Sequence, residues 1–257
     1  MNEKAVTLAA QADLVLLTVE MLRPQWDRLP ACQAVNDRLE AYPTLSMIDD
    51  LLQYALGDAA DIADEAASRP SPRAALNDVL RCASELSHDE WSDEYWRMFD
   101  GAQACPLNQA SYIRRDKGKI LGDLSGFYYA FGFKGSIVKG ERPDHLLCQL
   151  EFVAMMLAMA SQAPDDPSRE IVMQALSCYA CDHMHDWLPA ACWQMCESTH
   201  IEYFGAVSQW LFVFWQTISD LHQWPSDLLP DNHLKPIVDP DDPYECGAPD
   251  LHQIQPN

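Results

Sequence analysis

Apolar residues recur along most of this chain at the three- and four-residue spacing of one helix face. Two-residue alternation, the mark of a half-buried strand, is nearly absent. Ala5 to Leu22 places Leu8, Ala12, Val15 or Leu16, and Val19 near one stripe, and Pro24 stops the run. Cys32 to Tyr42 reads as a short helix ending before Pro43. Thr44 or Ser46 can cap the next, with Leu45, Ile48, Leu52 and Leu56 inside and Gly57 as a break or a kink. Asp58 to Ser68 is acidic and alanine-rich, a solvated helix or loop, and Pro70-Ser71-Pro72 is a turn. Ala74 to Leu86 is helical, with Leu76, Val79, Leu80 and Ala83 as its stripe. Ser87-His88-Asp89-Glu90 has capping-box spacing ahead of a helix from Trp91 to Phe99. After a loop from Gly101 to Ser111, Asp116 to Phe131 is helical again, with Gly122 and Gly126 expected to permit close approach. Helices are also expected over Arg169 to Trp187, with Ser168 available as cap, from Pro189 onward, and over Tyr203 to Trp224.

The stretch from Gly140 to Met156 organises the rest. Pro143 fixes its own φ and disfavours helix at Arg142. Asp144 is placed to cap a long apolar helix on which Leu146, Leu150, Val153 and Leu157 share a stripe that Leu147, Ala154 and Met155 widen. Glu141, Arg142, Asp144 and His145 therefore gather at one helix start, where backbone N–H groups lack partners. From Pro225 the composition turns to proline and aspartate, with too few apolar groups to fold alone. The expected organisation is one all-α domain over residues 1–224 and an extended tail over 225–257.

Composition narrows the function. Seventeen Lys and Arg against 39 Asp and Glu give a formal charge of -22. That argues against nucleic acid, whose binding rests on cationic contacts to phosphate, and against anionic membrane surfaces. It suits plain solubility, and equally a basic partner such as an arginine-bearing peptide. The start of the chain lacks a basic segment followed by an apolar core, and no uninterrupted apolar run approaches the ~20 residues of a membrane span. A cytoplasmic protein is expected, with its nine cysteines as thiols.

Three constellations carry chemistry. Cys178, Cys181, His183 and His185, with Cys192, Cys196 and His200 on the next helix, have the softness and approximate spacing of zinc or iron–sulfur ligands. Against this, His183 points away from the face shared by Cys178, Cys181, Asp182 and His185, and free cysteines also serve as small core residues. Glu141, Asp144 and His145 could be read as acid–base machinery, but adjacent helical residues do not face one another and no nucleophile motif accompanies them. The third reading is a peptide cradle: Glu141, Asp144 and Glu151 supply charge, His145 a hydrogen-bonding edge, and Trp91, Tyr95, Trp96, Tyr128 and Trp187 a flat apolar wall. Trp91, Tyr95 and Phe99 also recur every four residues, which fits a core stripe.

Glu141, Pro143, Asp144, His145 and Leu146, leading into Leu150-Glu151-Phe152, resemble the signature of the TorD/DmsD-type chaperones, the NarJ-related family that matures molybdenum enzymes. Gln149 stands where an acid is usual and Val153 where Met is usual. His183, Trp187 and Pro189 match a second family motif, His-x-x-x-Trp-x-Pro, with Ala191 where Phe is frequent. The resemblance covers roughly Ala74 to Trp215. It implies a single helical-bundle domain without catalytic activity or a cofactor or metal of its own, monomeric or homodimeric. The implied partner is the precursor or apo catalytic subunit of a molybdopterin-dependent oxidoreductase, held through its twin-arginine signal peptide or directly. Client binding is then expected at Glu141, Arg142, Pro143, Asp144 and His145 with the wall of Trp91, Tyr95, Trp96 and Tyr128. His183, Trp187 and Pro189 are expected to be mainly scaffold.

Overall fold

A computed structural model describes residues 3–23, 48–65, 68–100, 104–113, 115–134, 142–225 and 236. The helix expected over Cys32 to Tyr42, the caps Thr44 and Ser46, Glu141 and nearly all of the tail lie outside the described residues. Those residues form α1 (Glu3–Leu22), α2 (Ile48–Leu56), α3 (Pro72–Glu85), α4 (His88–Tyr95), α5 (Lys117–Ala130), α6 (Leu146–Ser161), α7 (Asp166–His183), α8 (Leu188–Ser198) and α9 (Glu202–Leu221). Among them there is no strand, only two isolated bridges, Asp64 with Arg69 and Asn108 with His145. The domain is all-α.

Local chemistry explains most boundaries. Ser71 accepts a bond from the Ala74 N–H at 3.3 Å, and Pro72 opens α3, where a missing N–H costs nothing. Ser87 and Glu90 complete the reciprocal capping box of α4 at 3.3 and 3.2 Å. Gly57 breaks α2 by adopting φ +56°. Asp165, not Ser168, caps α7, its Oδ1 accepting from the Ser168 N–H at 2.8 Å. That helix stops at His183 rather than Trp187, because residues 184–187 turn the chain into α8. Beyond Tyr95 the helix widens into a π turn over Trp96–Asp100.

Helices α1 and α6 pair at the centre, flanked by α2 on one side and α7 on the other, while α9 packs on α3, α8 and α1. Leu14, Val15, Leu17, Val19 and Met21 of α1 and Phe152, Val153, Met156 and Leu157 of α6 are sealed in the core. Each such side chain contributes about 1.5–3 kcal/mol. By length and composition α1 could cross a membrane, but two-thirds of its apolar window is buried in the protein. Its buried polar residues are satisfied internally. Gln11 donates to the Ala55 carbonyl at 3.0 Å, and Thr18 receives the Trp210 indole N–H at 2.9 Å.

Two expectations are corrected by the packing. Trp91 and Tyr95 stack at 5.0 Å, Tyr95 meets Phe99 at 5.1 Å, and all three close on Phe204. Trp91, Tyr95 and Tyr128 are core residues, so of the expected wall only Trp96, 46% exposed, reaches solvent. A repeat of four on a short amphipathic helix places its aromatics against the nearest apolar helix, and α9 supplies that surface. Gly122 and Gly126 permit no close approach, since nothing lies within 4 Å of a Cβ built on either. In an exposed helix interior glycine costs about 0.5–1 kcal/mol relative to alanine. Gly122→Ala and Gly126→Ala are each expected to stabilise by that amount, read as a rise in the urea midpoint at unchanged slope.

Candidate functional site

The turn before α6 is tied down on every side. The Tyr128 hydroxyl donates to the Pro143 carbonyl at 2.7 Å and lies 3.2 Å from the Tyr179 hydroxyl. The Gln109 N–H donates to the Asp144 carbonyl at 2.9 Å, and the Leu146 N–H to that of Leu107 at 2.7 Å. Asp144 is fully buried. Its carboxylate accepts both arms of Arg142, at 2.9 and 2.5 Å, the Asn108 amide at 3.3 Å and the Ala110 N–H at 3.1 Å. It is therefore not the helix cap. His145 holds that place, its Nδ1 accepting the Leu147 N–H at 3.3 Å. The expectation that Asp144 presents its charge outward is corrected: across-chain partners offered it more bonds than the helix start did. Glu151 is likewise engaged, paired with Arg23 at 2.5 Å.

His145 is neutral at pH 7. Burial lowers its pKa to about 4, the opposing pull of Asp144 being weaker and Arg142 adding to the fall. With Nδ1 accepting, the ring proton sits on Nε2. Arg142, Pro143 and His145 are partly exposed, so the turn offers their outer edges to solvent over a fixed base.

The second motif buttresses the same base from the other side. Trp187 is sealed, its indole N–H donating to the His183 carbonyl at 2.7 Å and its ring meeting Tyr112 at 5.6 Å. The Cys105 thiol lies 3.7 Å from both the Tyr112 hydroxyl and the Ala191 carbonyl. Pro189 sits in the first turn of α8. Residues 104–113 thus form a strap clamped between the two motifs. Asn108, Gln109 and Tyr112, which do the clamping, carry no periodic signal: the first two read in the sequence as loop and Tyr112 falls in no expected element.

Beside the strap, a cleft of about 290 Å³ opens between the start of α5 and the end of α7, lined chiefly by Gln109, Arg115, Lys119, Asp123 and His183. Gln109 and His183 are buried at its floor, the former bonded through Oε1 to Gln149 at 2.9 Å.

The fold takes apart the ligand set suggested by spacing. His185 directs one ring nitrogen to the Pro225 carbonyl at 2.8 Å and the other to Ser219 at 3.2 Å. Cys181 donates to the same Pro225 carbonyl at 3.2 Å, Cys192 is sealed in the core, and Cys178 and Cys196 are exposed. Among the described residues no three His, Cys, Asp or Glu side chains converge as metal ligands.

A family model for the nitrate reductase delta subunit matches residues 64–192, a stretch that contains both motifs and the strap between them. No curated protein and no solved structure matches the chain.

Proposed function

Because the chain belongs to the nitrate reductase delta subunit family, a family of molybdoenzyme maturation chaperones whose partners are molybdoenzyme catalytic subunits, we propose that it holds one such subunit in its apo form, or that subunit's twin-arginine signal peptide, until the cofactor is loaded. It does so in the cytoplasm and without catalysing a reaction. The recognition surface is Glu141 together with the turn Arg142–His145. Arg142, Pro143 and His145 meet the client directly, and Asp144 positions them. Trp96 offers a separate exposed aromatic contact.

The observation that carries this reading is the family match, since it spans the turn and the elements that fix it. A rigid turn with outward polar edges suits a guest chain, because ordering it in advance removes part of the entropy cost of binding. The excess of acid over base favours a client segment rich in arginine.

Calorimetric titration tests the reading directly. A peptide from a molybdoenzyme precursor, bearing its paired arginines, is expected to bind saturably, and replacing both arginines by glutamine is expected to weaken it about tenfold or more. A titration with the apo subunit lacking that peptide separates the two modes. Failure of both ligands to bind overturns the proposal.

A further inference from the structure

Helix α4 and the π turn that follows it have one sealed face and one wet face. Trp91, Tyr95 and Phe99 close on Phe204 of α9 and take up the sealed side. The wet side nevertheless carries a tryptophan, Trp96, 46% exposed. Asp89, Asp93, Trp96 and Asp100 follow one another at intervals of four, three and four residues, the register of a single helix face. All three aspartates are exposed. In a π turn the hydrogen bond reaches five residues on instead of four, so the register brings Asp100 back over Trp96. An aromatic plate therefore stands between a carboxylate one turn before it and another one turn after it.

The charge on this face is left open. The one arginine or lysine between His88 and Asp100 is Arg97, and it is turned inward. Its Nε and Nη2 donate to the buried Glu94 carboxylate at 2.7 Å, and Nη2 also reaches the Ser198 carbonyl at 2.5 Å. Asp93 and Asp100 make no ion pair among the described residues, and Asp89 has His88 at 3.9 Å. Glu94 in turn accepts from the Thr199 hydroxyl and the His200 N–H, which fastens the segment to the turn between α8 and α9. The plate is thus held in place before anything binds, and little ordering remains to be done on association. The face of an indole attracts a cation, and carboxylates beside it accept that cation's hydrogen bonds.

We propose that this face binds an arginine side chain of a basic partner segment, its guanidinium lying flat on Trp96 and donating to Asp93 and Asp100. Arginine fits better than lysine, because a planar fork of donors can stack on the ring and reach two carboxylates at once. A second arginine on the same segment has Asp89 one turn further along the helix. The inference rests on the client reading and deepens it: it assigns a client arginine to residues that the turn before α6 does not contain.

A tetrapeptide with two central arginines and its dilysine twin, each titrated calorimetrically into the full chain at low salt, test it. The diarginine peptide is expected to bind at least about threefold more tightly than the dilysine one. Trp96→Ala should weaken it about three- to fivefold while keeping the helical circular dichroism and melting temperature of the wild type. Asp93→Asn combined with Asp100→Asn leaves the indole in place and should weaken it at least as much, the loss shrinking as salt is raised. Tyr129→Ala removes an aromatic that is 90% exposed on α5 and should change nothing. Absence of a preference for arginine, an unchanged affinity in Trp96→Ala, or an equal loss in Tyr129→Ala each overturns the proposal. A molybdoenzyme precursor peptide that binds the wild type and Trp96→Ala equally well removes this inference and leaves the client reading standing. Failure of both that peptide and the apo subunit to bind the wild type removes both.

Discussion

Replacing Asp144 by alanine is expected to lower stability by about 3 kcal/mol at pH 7. The carboxylate is fully buried and accepts four bonds, two of them from the Arg142 guanidinium. Removing it leaves the Ala110 N–H and the Asn108 amide without their acceptor, inside the strap that α6 rests on. Breaking a buried ion pair typically costs about 3–5 kcal/mol. The lower end applies here, because the Arg142 side chain is one-third exposed and water can solvate the released guanidinium. Asp144→Asn keeps the shape and part of the hydrogen bonding, so about half that loss is expected. Urea denaturation of the three proteins measures both. Equal midpoints for wild type and Asp144→Ala would show that the pair contributes nothing. The expected loss also bears on binding experiments: weakened client affinity in this variant would report a loosened turn, and only variants at exposed edges can report contact.

What the chain revealed in advance was whatever is encoded within a few residues. The Ser87–Glu90 box and the break at Gly57 each rest on chemistry between near neighbours, and the structure contains both, whereas Pro72, expected in a turn, opens α3. Asp144 was misassigned because a capping residue and a cross-chain clamp look identical in sequence. The difference lies in Asn108 and Ala110, more than thirty residues away. The strap went unread for the same reason: Gln109 and Tyr112 acquire their meaning only from Gln149 and Trp187. The cysteine–histidine spacing failed differently. It is a true regularity of α7 and α8, but Pro225 and Ser219 take up Cys181 and His185, and nothing local announces that competition.

Glu94 supplies a second large effect, and its sign is fixed by titration. The side chain is buried, and burial alone would raise its pKa. Hydrogen bonds from both arms of Arg97 at 2.7 Å, from the His200 N–H at 2.5 Å and from the Thr199 hydroxyl at 3.1 Å outweigh burial and hold the pKa at about 2. These bonds pin α4, and with it the Trp91–Tyr95 stack, to the turn between α8 and α9. An unfolded glutamate titrates near 4.5. The folded carboxylate therefore contributes stability that is fully present above about pH 4.5 and is lost as the pH falls toward about 2. A depression of this size corresponds to about 3 kcal/mol, and the partial exposure of Arg97 reduces the expectation to about 2 kcal/mol. Glu94→Gln should lose that amount at pH 7. Because a protonated glutamate and a glutamine are nearly equivalent, the two proteins should converge in stability as the pH is lowered to about 2. Denaturation curves for both across that range decide the matter. A difference that stays constant with pH would mean that Glu94 acts through its shape, and that its charge is not what joins α4 to the turn between α8 and α9.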